Sequence, residues 1–163
     1  MKVLALVVLV GCGTVPPSWA PDAGDCVAYT PPPGMDLTAP TVSFKTDVMP
    51  VLTANCSSSI CHGIADGAQG GLFLGAETMK GADADTVYSS LMAMSGEASS
   101  LPYVMPTNIA NSFVMHKLDG DQCMIADKCT QGDCLLQMPR DRQLPVATRD
   151  IVRRWIAQGA PNN

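Results

Sequence analysis

Apolar side chains at Phe44, Val48, Val51 and Leu52 recur every three or four residues, the spacing of one helical face. Pro50 is compatible with a helix whose first turn begins near Met49, because a missing N–H there removes no intrahelical bond. This stripe predicts a helix that runs directly into Cys56. A second stripe, Val87, Leu91 and Met94, predicts a helix over 83–94. The stretch "NSFVMHKLDG" predicts a short helix over 111–120, with Asn111 or Ser112 as N-cap and Gly120 as its stop. In "VATRDIVRRWIAQGAPNN", Ile151, Val152, Trp155 and Ile156 form one apolar face, and Arg153, Arg154 and Gln158 are expected to face water. Gly159 and Pro161 mark the end of that last helix. "GGLFLG" reads as turn, short extended piece, turn. The stretches "SGEASSLPYVMPTN" and "DQCMIADKCTQGDCLLQMPRDRQ" read as loops, the second laced with disulfides. No alternation defines a set of strands, and no internal repeat is present. The expected fold is all-α: three to four short helices with long loops, the first and last helices packed together. Loops of this length in a compact domain call for an explanation, and wrapping a large cofactor is one.

The start of the chain has a different pattern. One lysine precedes an apolar run from Val3 to Val10, too short for the roughly 20 residues that cross a bilayer. It reads as the core of a secretory signal. "LVGC", Leu9 to Cys12, is similar to a bacterial lipobox, so residues 1–12 are expected to be a signal with Cys12 acylated; the alternative is an ordinary signal cut near Ser18 to Ala20. Seven of the 13 prolines lie in residues 13–40. That density excludes a regular helix, so 13–41 is expected to be a tether and 42–163 the folded domain, with Cys26 able to pin one to the other.

Composition narrows the function. The net charge is -5 and the pI about 4.7, so the chain lacks the basic footprint that neutralises nucleic-acid phosphates. Aromatics are only 5% of the 163 residues, which leaves room in the core for a planar cofactor, although an Ala- and Met-rich helical core explains the same figure. An exported chain sits where spare thiols oxidise. Setting Cys12 aside leaves Cys26, Cys56, Cys61, Cys123, Cys129 and Cys134, enough for three disulfides, or for two and one free pair.

The free pair matters because of "ANCSSSICHG". Cys56, Cys61 and His62 form a C-x4-C-H pattern. Covalent haem needs two cysteines on one turn to bond its vinyl groups, with an adjacent histidine for the iron; the usual spacing is C-x-x-C-H. Ser57, Ser58 and Ser59 can accommodate the wider loop. A disulfide Cys56–Cys61 leaves His62 unexplained. A zinc site needs two more ligands, from Cys123, Cys129, Cys134 or His116. A sixth iron ligand has two Met-Pro candidates, Met105 in "YVMPT" and Met138 in "LLQMPRD", where proline stiffens the loop that carries the sulfur. His116, beside Lys117 in mid-helix, is expected on the surface. Phe44, Leu52, Leu72, Leu91, Ile151 and Trp155 are the expected cofactor-side core.

Taken in order, "DVMPVLTANCSSSICHG", "GGLFLG", "YVMPTNIANSFVMHKLDG", "QMPRDRQ" and "IVRRWIAQGAP" resemble the cytochrome c-like domains of exported bacterial lipoproteins of the myxobacterial type. The resemblance covers about residues 44 to 160. It implies a cytochrome c-like fold, one haem c on Cys56 and Cys61, and iron held by His62 and by Met138 in preference to Met105. It implies that Cys123, Cys129 and Cys134 are disulfide cysteines steadying the distal loop. The widened cysteine loop departs from the family's commonest spacing. The function implied is single-electron transfer with redox protein partners at the cell envelope, from a lipid anchor at Cys12 in the periplasm or outer membrane. The alternatives are a haemless, disulfide-stabilised binding lipoprotein and a peroxidase-like enzyme. His116 is the only other histidine, so an electron carrier is expected rather than an enzyme.

Overall fold

The computed structural model describes residues 26–75 and 83–163. The expected signal, Cys12 and the first part of the tether lie outside the described residues. Among the described residues the protein is all-α, and the only β-type pairing is an isolated bridge between Met94 and Pro102. Four helices carry the fold: α1 (Met49–Asn55), α2 (Ala84–Leu91), α3 (Phe113–Asp119) and α4 (Val146–Ala157).

A π-helical turn, Phe44–Val48, leads into α1. Ser43 caps it: its Oγ accepts from Thr46 N–H, and the Asp47 carboxylate accepts from Ser43 N–H at 2.7 Å. Pro50 sits in the first turn of α1, as its missing N–H requires, and the helix ends at Cys56. Asp83 caps α2 through Asp85 N–H and the Thr86 hydroxyl, and these bonds hold its carboxyl below the usual carboxylate range. Ser112 and Gly120 bound α3, Gly120 with a φ of 74° that a side chain would strain. Gly159, φ 96°, ends α4.

The first and last segments pack through three rings. Phe44 stacks on Trp155 with centroids 5.2 Å apart, and Tyr88 of α2 meets Phe44 edge-on at 5.4 Å. Both polar handles are satisfied: Trp155 Nε1 donates to Pro161 O and the Tyr88 hydroxyl to Ala160 O. Asn163 in turn caps the first turn by accepting from Phe44 and Lys45 N–H.

Three expectations about the surface are corrected. Arg153 does not face water: its side chain is 2% exposed. Gln158 is half-buried, accepting from Val42 N–H and donating to Leu37 and Pro40 carbonyls, and Arg154 Nε donates to Asp36 O. The physical reason is the segment 26–41, which crosses this face of α4 and covers it. His116 is likewise half-buried rather than on the surface, its Nδ1 2.8 Å from Asp121 Oδ1.

The covered face holds an ionic cluster. Asp119, at the end of α3, bonds the guanidinium groups of Arg149 and Arg153 from α4, and Asp150 bonds Arg153 Nε at 3.2 Å. The Tyr29 ring closes it from above, 4.6 Å from the Arg149 and 4.5 Å from the Arg153 guanidinium carbon. Tyr29 N–H donates to Asp121 Oδ2 at 2.9 Å, and a disulfide Cys26–Cys123 ties the segment down three residues earlier. A second disulfide joins Cys129 to Cys134.

Removal of one partner from a buried charge cluster leaves the others uncompensated. Asp119→Asn is therefore expected to cost about 3–5 kcal/mol, read by chemical denaturation. The Asp121 bond holds the His116 pKa above its ordinary 6.5. Because the folded value is the higher one, the stabilisation is complete below 6.5 and is lost as pH rises through the folded value. His116→Gln should thus lower the denaturation midpoint most in mildly acid solution and least in alkali.

Candidate cofactor site

α1 ends where the site begins. Cys56 N–H donates to Leu52 O at 2.8 Å, the last bond of the helix, and the chain then turns through Ser57 to Ile60. The buried Ser57 hydroxyl bonds the carbonyls of Leu52 and Leu74, 2.6 Å from the latter. Ser58 O receives both Cys61 and Gly63 N–H at 2.9 Å, and Cys56 O receives His62 N–H. These bonds curl the loop so that both thiols and the imidazole lie on one side. Gly63 is required for the curl: a Cβ there would sit 2.2 Å from Ser57 O, inside any allowed contact with backbone.

His62 is buried and its orientation is set. Nδ1 lies 2.8 Å from Leu72 O, in the extended piece after Gly71, so Nδ1 carries the proton and donates. Leu74 N–H donates to His62 O at 2.9 Å, which ties the same two segments together. His62 lines the cavity. Burial pushes the His62 pKa down, against the opposing Leu72 bond, so the ring is neutral and able to ligate a metal at neutral pH.

The cavity has a volume of about 790 Å³. That lies within the range of roughly 300–1,000 Å³ usual for small-molecule sites. Cys56, Cys61, His62 and Met138 all line it. Its walls are mostly apolar: Leu52 from α1, Leu72 and Leu74 behind His62, Tyr103, and Phe113, Val114 and Leu118 along α3. Lys117, Glu97, Arg140, Asp141 and Arg142 are the charged lining groups, and Arg142 Nη1 is paired with Asp141 Oδ2 at 3.1 Å. Arg142 Nη2 donates to Asn55 Oδ1 at 2.9 Å, joining the Met138 side of the cavity to the helix that ends at Cys56.

The cysteines divide cleanly. Cys26, Cys123, Cys129 and Cys134 are paired, whereas Cys56 and Cys61 are thiols. Spacing does not explain the difference, since Cys129 and Cys134 close a bridge at the same separation of five. Burial pushes the Cys56 thiol pKa up to about 12, with Cys61 adding to the effect. Disulfide pairing also takes Cys123, Cys129 and Cys134 away from any zinc site, and His116 is held by Asp121 and Ala110 O. Among the described residues no group of three or more His, Cys, Asp or Glu is arranged to hold a metal ion by itself.

The structure separates the two methionine candidates. Met138 lines the cavity and Met105 does not; Met105 is instead bonded through its backbone to Ser112 Oγ. Of the six apolar residues expected beside a cofactor, only Leu52 and Leu72 line the cavity. Phe44, Leu91 and Trp155 are buried in the aromatic core and its surroundings, and Ile151 is half-buried against that core. The inner face of α3 takes their place. Its sequence signal was available: Phe113, Val114, Lys117 and Leu118 recur at helical spacing.

Two thiols able to bond vinyl groups, and a neutral imidazole and a thioether able to ligate iron, line one apolar cavity; these residues fit a covalently held haem and do not fit hard cations such as Mg²⁺ or Ca²⁺. No protein-family model matches the chain, and no curated protein or solved structure is significantly similar to it. No helix among the described residues is long and apolar enough to cross a membrane.

Alkylation of the denatured, unreduced, haem-free protein should label both Cys56 and Cys61 and none of Cys26, Cys123, Cys129 or Cys134. In the native protein Cys56 should react slowly at neutral pH, because a thiol of pKa about 12 is almost entirely protonated. Peptide mass mapping of the labelled sites checks both.

Proposed function

We propose that the protein is an electron carrier with one haem c, in a cytochrome c-like domain at the cell envelope. A single observation carries this reading. Cys56, Cys61, His62 and Met138 line one cavity, while the other four cysteines among the described residues are paired with one another. In an oxidising compartment two unpaired thiols beside a buried, neutral histidine need a use, and thioether bonds to a porphyrin supply one.

Cys56 and Cys61 would hold the haem, with His62 and Met138 as the axial ligands. The haem, when bound, supplies reversible one-electron chemistry at its iron. The chain's own residues do the rest. Leu72 O holds the His62 tautomer, so that Nε2 needs no proton removed before it ligates. The apolar lining from Leu52, Leu74, Phe113, Val114 and Leu118 excludes water, which favours the iron state of lower charge. A thioether from Met138 acts in the same direction. Arg140, exposed beside the cavity, would offer a cation to an acidic ligand group or partner, whereas Arg142 is paired with Asp141 and bonded to Asn55. Lipid attachment at Cys12 would keep the domain near membrane-bound redox partners.

Expression with c-type maturation decides the matter. The purified protein is expected to be coloured, to give a pyridine haemochrome spectrum and to carry the mass of one haem. Cys56→Ser with Cys61→Ser is expected to abolish covalent haem. Met138→Ala should retain covalent haem but lose methionine ligation and lower the reduction potential. A colourless product whose mass shows Cys56 joined to Cys61 would end the reading in favour of a haemless lipoprotein.

A further inference from the structure

One buried charge in the cavity wall has no part in attaching or ligating a haem. Lys117 projects from α3 into that wall, with its side chain 6% exposed. Its ammonium lies 5.6 Å from the Phe113 ring centroid and 3.0 Å from Glu97 Oε2, and it also donates to Cys134 O. An ammonium in an apolar wall is costly unless paired and hydrogen-bonded, so a residue that only filled space here would be better aliphatic.

The hydrogen bonds indicate what the lysine does. Its Nζ holds Cys134 O, and its own backbone carbonyl accepts Met138 N–H at 2.8 Å. One residue therefore grips both ends of the segment 134–138. Between these grips the chain bulges outward: Leu135 has a φ of 58° and is exposed, and its carbonyl accepts from the Nε2 of the buried Gln122. Glu97 braces the arrangement from the other side. Its carboxylate holds the ammonium, and its backbone carbonyl accepts both Thr130 N–H and the Thr130 hydroxyl, within the loop that the Cys129–Cys134 disulfide closes. An ammonium has three N–H donors on a flexible stem, so one side chain can join two separate loops to a helix.

We propose that Lys117 and Glu97 are positioning residues that hold Met138 in the cavity wall, with the Cys129–Cys134 loop as their abutment. Neither touches the iron in the haem reading. They keep the sulfur-bearing residue where a distal ligand is needed, and that consequence rests on the haem reading. The placement of Met138 does not, and it is tested first in the haem-free full chain.

Limited oxidation by dilute hydrogen peroxide, mapped peptide by peptide, reads the access of each methionine. In the wild type Met138 should oxidise more slowly than the exposed Met94 and Met124. In Lys117→Leu it is expected to oxidise roughly tenfold faster, the ratio that corresponds to losing the charge-assisted hydrogen bond to Cys134 O. Met115, buried on the same helix, should stay protected and so reports on the fold. Glu97→Gln, which keeps the side-chain shape and the Cys134 bond, should raise the Met138 rate by a smaller factor, again with Met115 protected. An unchanged Met138 rate in both variants overturns the proposal. So does a rise matched by Met115 in both, because the network would then stabilise the whole fold rather than place one residue. In the haem-loaded protein the same variants should keep covalent haem and lower the reduction potential. Absence of haem from the wild type would end the functional reading while leaving the oxidation result to stand or fall alone.

Discussion

Two arginines share one buried carboxylate, and the assembly of the C-terminal half depends on that sharing. Arg149 and Arg153 lie one helical turn apart on α4 and both reach Asp119 at the end of α3. Neither guanidinium can be left in the interior without an anion. The bonds therefore set where the end of α3 lies against α4. They also demand a cover, and Tyr29 supplies it, held by Asp121 and by the Cys26–Cys123 bridge. A proline-rich segment is thus fixed to the domain by charge, ring stacking and one covalent bond.

The same helix serves the cavity. The end of α3 is held in the ionic cluster, while Phe113, Val114, Lys117 and Leu118 form a wall of the site. Its position therefore sets both the packing against α4 and the width of the cavity. The opposite wall is the loop from Cys56 to His62, curled by backbone bonds to Ser58 O and stitched to the Leu72–Leu74 piece through Ser57 and His62. A cofactor between these walls would meet a surface organised by groups that face away from it. This is the usual relation of a ligating side chain to the partners that orient it.

The cysteines show how little spacing decides alone. Two pairs have the same separation, Cys56 with Cys61 and Cys129 with Cys134, and only the second is bridged. The two loops differ in the residues just C-terminal to each pair. After Cys61 come His62 and Gly63, whose N–H groups draw the loop back onto Cys56 O and Ser58 O. After Cys134 comes Leu135 at positive φ, and Lys117 pulls on the Cys134 carbonyl. The first loop is shaped by bonds within itself, and the second by a partner 17 residues away.

Much of the helical outline was legible in the residues themselves. Pro50 at the start of α1, Asp83 before α2, Gly120 after α3 and Gly159 after α4 act through local sterics and capping, which neighbouring residues fully specify. The motif C-x4-C-H and the two Met-Pro pairs were legible for the same reason. Contacts between distant segments were not. Nothing near Arg153 announces that Asp119 and Tyr29 will bury it, and the Met-Pro pattern shared by Met105 and Met138 does not by itself tell which one reaches the cavity; only the resemblance favoured Met138. Phe44, Leu91 and Trp155 were apolar enough for either the core or the cofactor side, and hydrophobicity does not say which neighbour a buried face will meet. The sequence by itself determined the four helices, the stop and start signals near most of their ends and the reactive residues available, but not the end of α2, which stops at Leu91 and leaves Met94 exposed beyond it. Only the tertiary structure decided which of these share a cavity, which thiols stay unpaired and which charges are buried, because burial and pairing depend on segments about 30 to 120 residues apart, as from Asp119 to Arg149 and from Tyr29 to Arg153.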